Sequence, residues 1–521
     1  MDQDKKHIVM LASENDALIG GKVGGLADVL RDLPNALADQ EYKITVIIPS
    51  YGFLHKENPS KQCATISFPF MGKTQSGMLY EVEAKHPKKN VTHLVFEHPE
   101  VRGTPIYSID PPGQPFAQDA TKFALFCSAV GQYLKSVQGN YIVHLHDWHT
   151  PTLLLLKELH PEFAHLQSHK FIFTIHNLAY QGTRPFRGTH ATVEQWFPDL
   201  FKHTEWIDEW TDPNYTEPLY NPMAAGIRYA DKVNTVSPTY AEEILKPSDH
   251  TKGFYGGEGL ETFLQQAKKE HRLFGIINAC EYPESRDNPK MSWQKLCALI
   301  LNEIDSALTG NDDALLRKIA QRIKAIQLQP PAVLLTSVTR VNEQKLRLLF
   351  EKGSHGKTAM EEILSNLEAV NGRYILLGNG TPDYEEFLIK TLKVNERFIF
   401  IPLYSNKIAD ALYANGTLFL MPSSFEPCGI SQMIAMRDGQ PCIVHAVGGL
   451  KDTVIHGVNG FQFRGKNTKE QVDDFVHTTH EAIQTAIDGT AVWQSLRSHA
   501  SSFRFDWNTS ARQYIELLYE S

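Results

Sequence analysis

A chain of 521 residues with 42% hydrophobic and 21% charged side chains has the composition of a globular protein of two large domains, not of a disordered or membrane-embedded one. Lys and Arg number 51 against 60 Asp and Glu, a net charge of −9, which makes the chain a poor candidate for nonspecific nucleic-acid binding because phosphate contacts need clustered cations. Six scattered cysteines (Cys63, Cys127, Cys280, Cys297, Cys428 and Cys442) form no CxxC pair, and neither a signal-type segment nor a membrane-length apolar run is present, so a soluble protein of a reducing compartment is expected.

Short apolar runs alternate with longer helical patterns. Strands are predicted at residues 7–13, 43–49, 91–97, 141–146, 170–176 and 231–237, and again at 332–338, 373–377, 397–402, 417–422 and 441–446. Nearly continuous apolar strands separated by helices belong to parallel sheets covered on both faces. Between the two sets lies 278–331, mostly polar and punctuated by Pro283, Pro289 and Pro330-Pro331, with a domain boundary near its start. The expected fold class is therefore α/β, two doubly wound units, with ligands gathering at the carboxyl ends of the strands. An internal echo fits two such sheets. Gly24-Gly25-Leu26-Ala27-Asp28-Val29 resembles Gly448-Gly449-Leu450-Lys451-Asp452-Thr453-Val454, each pair of glycines opening an amphipathic helix; chance similarity over six residues is the alternative.

Five loops carry the residues suited to chemistry. Lys22-Val23-Gly24-Gly25 follows the first strand and opens a helix, so backbone N–H groups, the helix dipole and the Lys22 charge could meet an anion. A tight strand-to-helix turn with a solvated lysine fits the spacing equally well. His144-Leu145-His146-Asp147-Trp148-His149 sits at a strand end. His144 and His146 share a strand face while Asp147 and His149 lie beyond it, which disfavours a metal site and suits a sugar met by polar groups and the Trp148 ring. His176-Asn177 ends the next strand, where a core histidine needs a partner; a hydrogen-bonded structural histidine is the plainer reading. Arg340 and Lys345 flank a strand-to-helix turn from which both could reach one anion, or they are ordinary surface charges. In the loop Met421 to Gln432, Glu426 could hold sugar hydroxyls, with Gly429 freeing the backbone and Ser431 near a helix start; Cys428 lacks the companions of a protease nucleophile.

Together these motifs resemble the bacterial glycogen synthase and plant starch synthase family over essentially the whole chain, from His7 to about Leu518. Tyr229-Ala230-Asp231-Lys232-Val233, Thr235-Val236-Ser237-Pro238-Thr239-Tyr240, Phe425 to Gly429 and Gly448 to Val454 complete the match. The resemblance implies the GT-B fold: residues 1–277 as an acceptor-side Rossmann-like domain, 278–500 as a nucleotide-sugar domain, a deep cleft between them, and 501–521 crossing back onto the first. It implies a retaining transfer of glucose from ADP-glucose to the non-reducing end of an α-1,4-glucan, in the cytoplasm, with no cofactor and no metal. On this reading the catalytic set is His176, Glu426, Arg340 and Lys345. Lys22, Gly25, Asn278, Tyr404, Cys428, Gly429, Ile430 and Ser431 would bind the donor, with Tyr404 on the adenine, and Asp147, Trp148 and Asn177 would line the sugar and acceptor side.

The sequence also departs from the family pattern. The loop leading to Lys22 is about two residues longer, with Gly20-Gly21 as the insertion. Asn-Gly-Ile-Asp becomes Asn278-Ala279-Cys280-Glu281, Pro-Ser-Arg-Phe-Glu becomes Pro422-Ser423-Ser424-Phe425-Glu426, Gly-Asp-Pro becomes Gly380-Thr381-Pro382, and Gly-Ala-Asp becomes Asn415-Gly416-Thr417. These changes leave open a UDP-glucose donor, a short maltooligosaccharide acceptor, or a catalytically weakened glucan-binding paralogue.

Overall fold

The computed structural model describes residues 6–521 except 111–112, 138, 189, 216, 283–289 and 311–312, so Pro283 and Pro289 lie outside the described residues. The chain forms two compact units. One contains the residues up to Ser248 together with Gly256–Ile277 and Trp507–Ser521; the other contains Asp249–Tyr255 and Asn278–Asp506.

The first unit is built on β1 (His7–Leu11), β2 (Lys43–Pro49), β3 (Ser60–Phe70), β4 (Lys73–Val82), β5 (Val91–Glu97), β6 (Ile142–His146) and β7 (Lys170–Ile175). A two-residue ribbon of β8 (Arg184–Pro185) and β9 (Leu219–Tyr220) follows, then β10 (Lys232–Thr235) and β11 (Leu273–Gly275). All but the ribbon join one sheet in the order β11-β10-β7-β6-β1-β2-β5-β4-β3. From β11 to β5 the pairing is parallel, and Ile8 to Leu11 of the central β1 are wholly or almost wholly buried, as a strand covered on both faces requires.

The antiparallel β3–β4 hairpin at the sheet edge is absent from the expected elements. Ser60–Thr65 of β3 are exposed or half-buried and only Ile66, Phe68 and Phe70 alternate inward, a weaker signal than a continuous apolar run, and Pro69 is tolerated because β3 is an edge strand. Met71 and Gly72 both take positive φ (52° and 68°), the backbone of a two-residue turn whose twist matches the strands it joins.

The second unit holds β12 (Leu334–Val338), β13 (Arg373–Leu377), β14 (Phe398–Ile401), β15 (Leu418–Met421), β16 (Cys442–His445) and β17 (Gly460–Phe463), all parallel in the order β14-β13-β12-β15-β16-β17. Each sheet therefore reverses its winding once, between β1 and β6 in the first and between β12 and β15 in the second. These are the switch points where doubly wound sheets bind ligands. Within the stretch read as mostly polar, the helices Trp293–Leu308 and Ala314–Ile326 bury Leu296, Ile300, Ile304, Ile319 and Ile323 in the second core. Their polar residues occupy the opposite helix face.

The chain re-enters the first unit at Trp507, later than the predicted 501. The helix Trp507–Tyr514, continued by a wider turn at Ile515–Tyr519, packs on the helix Gly25–Asp39, where Trp507 Nε1 donates to Asp32 at 3.0 Å. The glycine echo is not a structural repeat: Gly24-Gly25 follows β1, the first strand of its sheet, whereas Gly448-Gly449 follows β16, the fifth of its own. Gly448 has φ +42°, and a Cβ there would lie 1.9 Å from the Glu426 carbonyl oxygen, while a Cβ on Gly25 would meet nothing within 4 Å. Among the described residues no helix is long and apolar enough to cross a membrane.

Candidate active site

In the first unit the loops after β1, β6 and β7 converge at the switch point. Gly20 and Gly21 close a compact loop before Lys22, in which Asn15 N–H donates to the Gly21 carbonyl (2.8 Å). Glu14 is buried, and one of its carboxylate oxygens accepts both the Val23 and the Gly24 N–H at 2.6 Å each; Tyr107 Oη donates to the other at 3.1 Å. Burial pushes the Glu14 carboxyl above its usual range, only partly offset by those backbone donors. Lys22 hydrogen-bonds Asp28 (2.5 Å) and approaches Asp16 (3.5 Å), while Arg31 and Lys85 also hold Asp16. Burial opposes the Lys22 charge, yet Asp28 and Asp16 outweigh it and its pKa is raised.

Asp147 stands just past β6 in a left-handed conformation (φ +53°), unusual for a residue with a side chain. Its Oδ1 accepts the His176 N–H (2.7 Å) and the Asn177 N–H (3.3 Å), which ties the end of β6 to the end of β7. Burial drives its carboxyl up to about 7 against the pull of those two donors. His146 Nδ1 lies 3.0 Å from His176 Nε2, and burial lowers the His176 pKa to about 3. One expectation is corrected here. Trp148 is 5% exposed, with edge contacts to Phe116 and Phe123, His149 against it and Gly182 under its ring, so in this structure the ring offers no face to a sugar. A sequence pattern does not distinguish a tryptophan at a site mouth from one built into its wall.

In the second unit the loop after β15 meets the turn after β12. Lys345, in the helix Glu343–Phe350, is ion-paired with Glu426, which also accepts from Ser423 Oγ at 3.0 Å. Lys345 is thus held by a carboxylate, while Arg340, five residues earlier and just after β12, is exposed. The same helix makes three more hydrogen bonds to the loop. Gln344 accepts the Ser424 N–H through its carbonyl (2.8 Å) and donates its side-chain amide to the Phe425 carbonyl (3.1 Å), and Arg347 Nε donates to Ser424 Oγ (3.2 Å).

Gly448 and Gly449 press on the loop's backbone, and Gly449 N–H donates to the Glu426 carbonyl (3.2 Å). Cys428 is buried, its thiol pushed up by burial despite a backbone hydrogen bond at Asn278, whose own side-chain oxygen is buried without a partner. Ile430 precedes the helix Ser431–Arg437, Ser431 hydrogen-bonds Tyr413, and Tyr404, after β14, is 76% exposed. Glu14, Tyr107 and Arg347 carry no role in the motifs, and His146 enters them only as one member of the His144–His149 cluster; Tyr107 and Arg347 reach these loops from well past the strand ends, by long-range packing that leaves no local pattern.

The starch synthase catalytic domain family matches residues 7–266, and the glycosyl transferases group 1 family matches 346–480. The glycogen synthase of Desulfitobacterium hafniense is 32% identical over 515 residues, 96% of this chain and 96% of that protein. The glycogen synthase of Exiguobacterium sibiricum is 30% identical over 517 residues, 95% of each. The chain belongs to the glycogen and starch synthase family. It is a glycosyltransferase, and its fold is the GT-B fold of that family. The catalytic domain of starch synthase IV from Arabidopsis thaliana, solved with ADP and acarbose, superimposes over 99% of both chains with a TM-score of 0.74 at 23% identity. A sucrose-phosphate synthase from Thermosynechococcus elongatus shares the architecture at a TM-score of 0.54 and 15% identity.

Proposed function

We propose that this family member is a cytoplasmic glucan synthase that transfers glucose from ADP-glucose to the non-reducing end of an α-1,4-glucan with retention of configuration. The observation that carries the reading is the meeting of Lys345 and Glu426 at the second sheet's switch point, a cation for phosphate beside a carboxylate for sugar hydroxyls. In the second unit, Arg340 and Lys345 would neutralise the diphosphate as it leaves, where negative charge grows in the transition state. Glu426 would accept hydrogen bonds from the glucose hydroxyls, and the backbone from Cys428 to Ser431, with Asn278 and Tyr404, would hold the nucleotide side. In the first unit, Lys22 and the open backbone at Gly25 would meet the donor, His176 would flank the donor sugar, and Asp147 with Asn177 would shape the sugar and acceptor side. Lys345 and Lys22 each have a carboxylate partner to leave before they serve a phosphate.

Parallel assays with glycogen and either ADP-glucose or UDP-glucose, in EDTA, test this by following released diphosphate nucleotide and polymer-bound glucose. Transfer from ADP-glucose is the expected outcome. Transfer from UDP-glucose alone would reassign the donor, and glycogen binding without transfer from either would remove the activity.

A further inference from the structure

The hydrogen bond between the two imidazoles at the ends of β6 and β7 determines more than their positions. Both rings are held neutral by burial, His146 well below its usual value and His176 at about 3, so each carries a single N–H. Across the 3.0 Å contact between His146 Nδ1 and His176 Nε2, one ring must donate and the other accept. The opposite edge of His146 decides which. Its Nε2 is buried without a hydrogen-bond partner, and an orphaned buried N–H is rarer and more costly than an unfilled acceptor position.

The ring of His146 is also packed on one face. His144 stacks on it at 4.2 Å, and His144 is itself gripped on both sides, by Tyr519 Oη at 2.9 Å and Thr174 Oγ1 at 2.6 Å. We propose that His146 is a positioning residue that sets the tautomer of His176: it donates from Nδ1 to His176 Nε2, leaves the His176 proton on Nδ1, and so presents His176 to the substrate as a neutral hydrogen-bond donor for a sugar hydroxyl. With Nε2 occupied and Nδ1 protonated, His176 has no free lone pair and is no general base. The proposal rests on the reading that His176 flanks the transferred sugar.

The test uses the full chain with 15N-labelled histidine rings and reads which ring nitrogens carry protons by NMR, with H176N and H146N assigning the signals. Protonated Nδ1 and bare Nε2 on both rings is the expected result; a proton on His176 Nε2 overturns the proposal. This arm needs no turnover, so it stays decisive even if the donor assignment fails. The kinetic arm compares H146F, which keeps an aromatic ring but no donor, with H146N, whose amide nitrogen falls near the place of Nδ1. H146F should lower kcat about tenfold, the worth of one hydrogen bond, with donor KM changed less, and H146N should recover most of that loss. Similarly H176N should retain more transfer than H176Q, a comparison that stands if H146F fails to fold. Wild-type kcat in a folded H146F, or H176Q surpassing H176N, overturns the assignment.

Discussion

The Lys345 ammonium and the Glu426 carboxylate form an ion pair with only 13% and 7% of their side chains exposed. Removing one member of such a pair strands the other, at about 3–5 kcal/mol, whereas removing both leaves no uncompensated charge. Glu426→Ala should therefore lower the thermal midpoint by about 10 °C and transfer by more than a hundredfold. The double variant K345A/E426A should regain much of the stability and none of the transfer. Equal stability losses in the single and double variants would show that the two charges are not coupled.

Burial places the Asp147 carboxyl at about 7. The folded chain thus keeps a proton that the unfolded chain has lost above about 4, and the sign follows from that difference. This group favours the folded state at low pH, and its contribution is lost progressively as pH rises from about 4 to about 7. Asp147→Asn retains an oxygen to accept the His176 and Asn177 N–H groups and cannot ionise. Denaturant unfolding at a series of pH values should show wild type falling relative to D147N across that window and running parallel to it above pH 8. A constant gap across the window would contradict the buried-acid assignment.

Much of this was legible in the sequence, for a physical reason. The central strands of both sheets are buried on two faces, so they read as apolar runs, and β2, β5 and β13 fall at their predicted bounds. The loops carrying Lys22, Asp147, His176 and Glu426 were legible because glycines and polar residues crowd the ends of those strands. The edge hairpin was not, since half of each strand faces solvent. Nor was the burial of Trp148, or the contact of Arg347 with Ser424 across 77 positions, because long-range packing leaves no local pattern.

Lys22 separates stability from binding. Its side chain is 36% exposed, and Arg31 continues to hold both Asp16 and Asp28 in its absence, so Lys22→Ala should change unfolding free energy by no more than about 1 kcal/mol. If Lys22 meets the donor phosphates, the same variant should raise donor KM about tenfold or more, most clearly at low salt. A large loss of thermal midpoint with unchanged donor KM would make Lys22 a structural residue.

Gly182 sits against the Trp148 ring with φ +69°, and a Cβ there would lie 2.0 Å from a ring carbon. Gly182→Ala combines a left-handed backbone with a clash against a buried side chain, together about 2–4 kcal/mol. The thermal midpoint should fall accordingly, and W148F should relieve part of the loss in the double variant, since the smaller ring vacates some of that space. No rescue would place the whole effect in the backbone.

Ser424 occupies the place where the resemblance leads one to expect an arginine, and the structure brings Arg347 to it. Arg347, reaching from the helix Glu343–Phe350, donates Nε to Ser424 Oγ and Nη1 to Thr468 Oγ1 (3.3 Å), and its Nη2 is buried without a partner. A guanidinium thus braces the Glu426 loop from the helix in place of the loop's own. Restoring the family residue alone, Ser424→Arg, would force two guanidinium groups into one space and should both destabilise the second unit and suppress transfer. Arg347→Leu alone should leave the loop without its brace and lower kcat several-fold. The pair R347L/S424R should recover activity above either single variant, because one arginine again serves the loop. Losses in the double variant equal to the sum of the singles would mean that the two positions act independently.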